Sequence, residues 1–101
     1  MKENKMKNLI TNKYYSGGNL DILADAGYSE NDVLCTFKQA MKHFDVRGEM
    51  LKGLKGLGTT LFFYKEEINK ETGKKEKIRK LFTVFNVQDV KRVIQTNMEV
   101  A

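Results

Sequence analysis

Apolar positions along the chain recur at helical spacing in three places and crowd into one pair of strand-like runs. Leu20, Ile22, Leu23, Ala24 and Ala26 form a short segment between Asn19, a helix-capping residue type, and Gly27, which stands where a C′ glycine would end the helix. Phe37, Ala40, Met41 and Phe44 fall on one stripe. The run Thr36-Phe37-Lys38-Gln39 before them predicts a capping box, with the threonine oxygen accepting from the Gln39 amide and the glutamine reaching back. A third stripe, Val87, Val90, Val93 and Ile94, follows Asn86 as cap, has Asp89 at the third helical position and leaves Lys91 and Arg92 outward. Between the second and third helices, residues 59–66 are rich in β-favouring side chains, residues 69–74 carry turn chemistry and residues 77–85 return, which predicts a β-hairpin.

The remaining segments are less patterned. Residues 45–58 hold Gly48, Gly53, Gly56 and Gly58 and read as a loop, with a strand or a turn around residues 49–51 as the open alternatives. Val33-Leu34-Cys35 is a short apolar piece that suits an extra strand. The expected fold is α+β: a small antiparallel sheet built on the central hairpin, packed on one face against about three helices. Residues 1–12 are expected to form a polar, basic N-terminal arm and residues 13–98 a single domain, with no internal repeat.

A chain of 101 residues can bury one modest core. Its net charge of +5 favours an anionic partner. The charge is unevenly spread, since residues 21–34 hold Asp21, Asp25, Glu30 and Asp32 and no Lys or Arg. An acidic side and a basic side are therefore expected. Cys35 is the only cysteine, so no internal disulfide can form, which fits a reducing cytoplasm. No apolar run approaches the ~18 residues of a membrane span, and the basic N-terminus lacks the apolar stretch of a secretory signal.

The candidate chemistry lies in residues 50–64, where a glycine-rich segment with Lys52 and Lys55 runs into Leu61-Phe62-Phe63-Tyr64. Lysine offers a point charge for phosphate, and exposed rings offer faces for bases. The same loop could equally be a solvated edge, and the same rings a second layer of core. Tyr14 and Tyr15, beside Gly17 and Gly18, are further stacking candidates, of which one is expected to pack inward. Lys74, Lys75, Lys77, Arg79 and Lys80 form a basic run. Lys77, Arg79 and Leu81 share one strand face by the period of two. The glycines do not match a phosphate-binding P-loop, and they lead into a strand rather than opening a helix. His43 is the only histidine, so no zinc set is legible, and no nucleophile–base pair is visible. Cys35 reads as a buried small hydrophobe in preference to a reactive thiol. The chain is thus expected not to be an enzyme and to need no cofactor, metal or small-molecule substrate.

Four blocks in order resemble the N-terminal single-stranded-DNA-binding domain of ArdC-type antirestriction proteins of mobile genetic elements. Tyr15-Ser16-Gly17-Gly18-Asn19 is similar to that family's Tyr-x-Gly-x-Asn, and Thr36-Phe37-Lys38-Gln39-Ala40 to its Thr-aromatic-x-Gln-Ala. Lys52-Gly53-Leu54-Lys55-Gly56 is similar to its Lys-Gly-Glu-Lys-Gly block, and Val84-Phe85-Asn86-Val87-Gln88 to its closing segment. The sequence departs from the pattern at Leu51, where the family has arginine, and at Leu54, where it has glutamate. The resemblance covers about residues 13–90 and implies a free-standing module that binds single-stranded DNA without sequence preference, in replication, transfer or antirestriction. The expected contact set is Lys13, Tyr14, Tyr15, Lys38, Arg47, Lys52, Lys55, Tyr64, Lys74, Lys75 and Arg79. The alternative is an accessory subunit that docks a larger replication or primase-type protein through the same basic and aromatic surface.

Overall fold

The hairpin is the framework on which everything else is hung. In the computed structural model, which describes residues 6–100, β3 (Thr59–Ile68) and β4 (Lys75–Asn86) pair antiparallel from Thr59↔Val84 out to Ile68↔Lys75. Asn69 closes the turn: its side-chain oxygen accepts from the Glu71 and Thr72 amides, and its own amide donates to the Lys74 carbonyl. Two short strands extend the sheet beyond β4: β2 (Val33–Cys35), antiparallel to it, and β1 (Lys7–Asn8), parallel to β2. The order is β1-β2-β4-β3. The fold is α+β with three helices, but the sheet is mixed and strongly curled rather than simply antiparallel.

The helices cover both faces of this sheet, not one. Neighbouring strand residues point to opposite sides, and Leu34 and Val84 belong to one buried cluster while Cys35 and Phe85 belong to another. Helix α1 (Gly17–Asp25) packs Leu23 on the first face, against Met6, Leu34, Leu61 and Val84. Helices α2 (Phe37–Phe44) and α3 (Val87–Val100) pack Ala40, Val87 and Val90 on the second, against Cys35 and Phe85. The capping box of α2 forms as its sequence predicts, and Asn86 accepts from the Gln88 amide at the start of α3. Gly27 ends α1 at φ +94°, with its amide on the Ala24 carbonyl and that of Tyr28 on the Leu23 carbonyl, a Schellman closure.

Several local expectations are corrected. Residues 1–5 of the expected arm lie outside the described residues, but residues 6–12 are part of the body. Met6 is wholly buried, and Asn8 is a buried hub whose amide nitrogen donates to Tyr15 Oη (3.1 Å) and Gln39 Oε1 (2.9 Å) while its oxygen accepts from the Ile10 and Thr11 amides. Asn19 does not cap α1. It lies inside the helix, Ser16 holds the cap position, and the Asn19 side chain pairs with the Phe62 backbone. The glycine-rich segment holds two 3-10 turns, Gly48–Leu51 and Lys55–Leu57, pinned by the fully buried Leu51 and Leu54. The turn near residue 50 replaces the alternative strand, and Asn97 of α3 ties it down by donating to the carbonyls of Met50 and Lys52.

The outer half of the hairpin leaves the body. Beyond Leu61 on β3 and before Val84 on β4 no residue is fully buried, so a two-stranded ribbon projects with both faces largely open. The radius of gyration, 16.1 Å, exceeds the roughly 13 Å of a compact chain of this length.

Candidate nucleic-acid interface

The side of β4 that carries Phe85 carries Thr83, Leu81, Arg79, Lys77 and Lys75 as well, by strand alternation. Near the body this side forms the floor of a cleft of about 510 Å³ lined by Thr36, Phe37, Lys38, Lys55, Thr83 and Phe85, together with Phe82. Lys38 comes from the first turn of α2 and Lys55 from the second 3-10 turn, so two separate elements bring two cations to one opening that contains no carboxylate. Phe37 stands at its edge. The ring meets Phe85 edge-on at 6.4 Å, and the Lys55 ammonium lies 5.9 Å from its centroid. A second opening of about 690 Å³ shares Phe37 and Lys55 with the first and is bounded besides by Gly48, Glu49, Leu51, Lys52 and Gly53. The Glu49 carboxylate makes this second opening the poorer place for an anion.

Gly58 lets the strand pass this close to the floor of the cleft. A Cβ at that position would stand 2.5 Å from Thr83 Cγ2 and 2.6 Å from the Phe85 ring.

Outward along the ribbon the same face continues. The register sets Phe62 opposite Leu81, Tyr64 opposite Arg79, Glu66 opposite Lys77 and Ile68 opposite Lys75. The Arg79 guanidinium lies over the Phe62 ring, 4.7 Å from the centroid, and Tyr64 meets that ring edge-on at 5.8 Å. Tyr64 is 62% exposed and Leu81 64%. From Thr83 to Lys75 the track runs about 27 Å at the ordinary rise of a strand. The ion pairs among the described residues are Lys80–Glu67 and Arg92–Asp89, so no cation of the cleft or of this track is neutralised by one. The opposite face carries α1 with the exposed Asp21 and Asp25, but charge is not cleanly divided between the two faces: Glu66 stands on the basic track, and strand alternation puts Lys65 and Lys80 on the α1 side.

Of the expected contact residues, Lys38, Lys55, Tyr64, Lys75 and Arg79 share this side. Lys52 and Arg47 border or precede the second opening, Arg47 as the residue that begins the first 3-10 turn. Lys74 is at the ribbon's tip. Lys13 and the exposed Tyr14 lie beside β1, at the sheet edge farthest from β3, and are not brought to the cleft. Tyr15 is the tyrosine that packs inward, as one of the pair is expected to: it lies against the Leu23 cluster away from the cleft, its hydroxyl accepts from the Asn8 amide, and burial raises its pKa against the opposing effect of that hydrogen bond. Phe37 packs against the Ala40 and Phe85 core as its place in the buried stripe predicts, and its half-buried ring also lines the cleft, which the stripe does not foretell. The signal for it is its place between the Thr36 cap and Lys38, where a side chain can lean off the start of the helix.

Cys35 is buried, and desolvation pushes its thiol up to about 11, as a structural hydrophobe requires. Among the described residues no group of His, Cys, Asp or Glu could hold a metal ion, and no helix is long and apolar enough to cross a membrane. Comparison of the chain with protein-family models, with curated proteins and with solved structures finds no match.

Proposed function

We propose that this chain binds single-stranded DNA with little sequence preference, along the cleft at Phe37 and the open face of the ribbon. The observation that carries the reading is one side of β4 shared by the cleft cations Lys38 and Lys55 and by Arg79, with Phe37, Phe62 and Tyr64 interleaved. Cations spaced along a track neutralise phosphates, and rings between them stack on bases that are free of a partner strand, worth roughly 1–3 kcal/mol per base. The resemblance to the ArdC-type N-terminal domain supports the same partner and carries the proposed setting, the replication, transfer or antirestriction functions of a mobile element in the cytoplasm. Fluorescence anisotropy with labelled single strands, duplex and RNA of equal length tests it. Salt-dependent binding that favours the single DNA strand is expected. Absence of binding at low salt and micromolar protein contradicts it, and moves the exposed Leu81 and Ile68 to the alternative role, docking a larger replication protein.

A further inference from the structure

β3 is the terminal strand of the sheet, and among the described residues its outer edge is closed at one point only. The Asn19 amide nitrogen donates to the Phe62 carbonyl, and its oxygen accepts from the Phe62 N–H. Both backbone groups of a residue in an antiparallel strand point the same way, and the direction alternates. The outward groups beyond Asn19 are therefore those of Tyr64, Glu66 and Ile68, and among the described residues nothing bonds to them.

We infer that this edge pairs with the same edge of a second copy, antiparallel about a two-fold axis at Glu66. The register is set from both ends. Sliding the pairing two residues towards Phe62 runs it into Asn19, and sliding it towards the turn runs it past Ile68, where β3 ends. The centred register sets Tyr64 opposite Ile68 of the second copy and Lys65 opposite Glu67, each twice by symmetry. Tyr64 and Ile68 are 62% and 67% exposed in the single chain, large apolar groups with no cover of their own. The outer edge of β4 is unsuited to the same use, because its basic run of Lys75, Lys77, Arg79 and Lys80 would set like charges against like. One like-charge contact, Glu66 with its copy, weakens the β3 pair, and Lys77 stands beside it across the hairpin. The axis is perpendicular to the sheet, so the side bearing Lys75, Lys77 and Arg79 faces the same way in both copies. The pairing does not depend on the DNA-binding reading, but it would join two basic tracks on one surface.

Sedimentation velocity over a concentration series to the submillimolar range tests it, with circular dichroism confirming that each variant is folded. The wild-type chain is expected to shift from monomer to dimer. Lys65→Glu and Glu67→Lys each set like charges opposite and shift the series back to monomer, whereas an equimolar mixture of the two restores association, because both cross-copy pairs are then complementary. Glu66→Gln tightens the dimer about threefold by removing the like-charge contact. A wild-type chain that stays monomeric throughout overturns the inference. So does association that neither charge reversal weakens, or a mixture no more associated than its components.

Discussion

Asn19 and Phe62 are paired as two strands would be: the Asn19 side-chain amide donates to the Phe62 carbonyl at 2.7 Å and accepts from its N–H at 3.0 Å. One side chain of α1 thereby stands in for a fifth strand and fixes the helix to the edge of β3. Asn19→Ala leaves both backbone groups half-buried without that partner and is expected to destabilise the fold by about 1–3 kcal/mol, measured by urea unfolding. Asn19→Asp keeps the acceptor but loses the donor, and should recover only part of the loss.

Gly58 and Gly56 lie two residues apart and should respond unequally to alanine. At Gly58 the new methyl would fall within 2.6 Å of Thr83 and the Phe85 ring, whereas nothing lies within 4 Å at Gly56. Gly58→Ala is expected to cost about 1–3 kcal/mol through forced shifts in the packed floor. Gly56→Ala should be close to neutral. Equal effects in thermal unfolding would contradict the cleft geometry.

Met6 tests whether the N-terminal segment belongs to the body. It is fully buried against Leu23, Leu34, Leu61 and Val84. Met6→Ala is therefore expected to cost about 2–5 kcal/mol in urea unfolding. A residue on a solvated arm would cost nothing measurable.

Cys35 gives the fold a pH dependence of known sign. Burial raises its thiol from 9.0 to about 11, so between these values the unfolded chain has released a proton that the native chain retains. Native stability from this group is present below pH 9 and is lost as pH rises from 9 to about 11. In urea titrations across this range the wild-type chain should lose more stability than Cys35→Ala, and thiol labelling at pH 8 should be slow until denaturant is added.

The three helices and the hairpin were legible because each is written in a local period: the capping box at Thr36, the Val87–Val90 stripe, the β-rich runs either side of Asn69. What was not legible depends on distant partners. Asn8 looks like any polar N-terminal residue until Tyr15 and Gln39, 7 and 31 positions away, close on it. Two-residue β1 has no pattern to read, and its parallel pairing with β2 follows from Met6 being drawn into the core. Leu51 and Leu54 among four glycines read as a loop, because burial there comes from α3 and β4 rather than from a repeat in the segment itself. For the site, the period of two placed Lys77, Arg79 and Leu81 together correctly. The convergence of Lys38, Lys55 and Phe37 needed the fold, since α2 and the second 3-10 turn are separated by the whole first turn.

The central claim is that the cleft and the ribbon face contact one DNA strand together. The most direct test is the salt dependence of single-strand affinity for wild type and for Lys38→Gln/Lys55→Gln/Arg79→Gln, with Lys91→Gln, outward on α3, as control. Each phosphate neutralised adds about 0.7 to the slope of log affinity against log salt. The triple variant is expected to lose about 2 from that slope, together with most of the affinity, and the control to lose neither. An unchanged slope in the triple variant would mean that these three cations meet no phosphate, and would contradict the account.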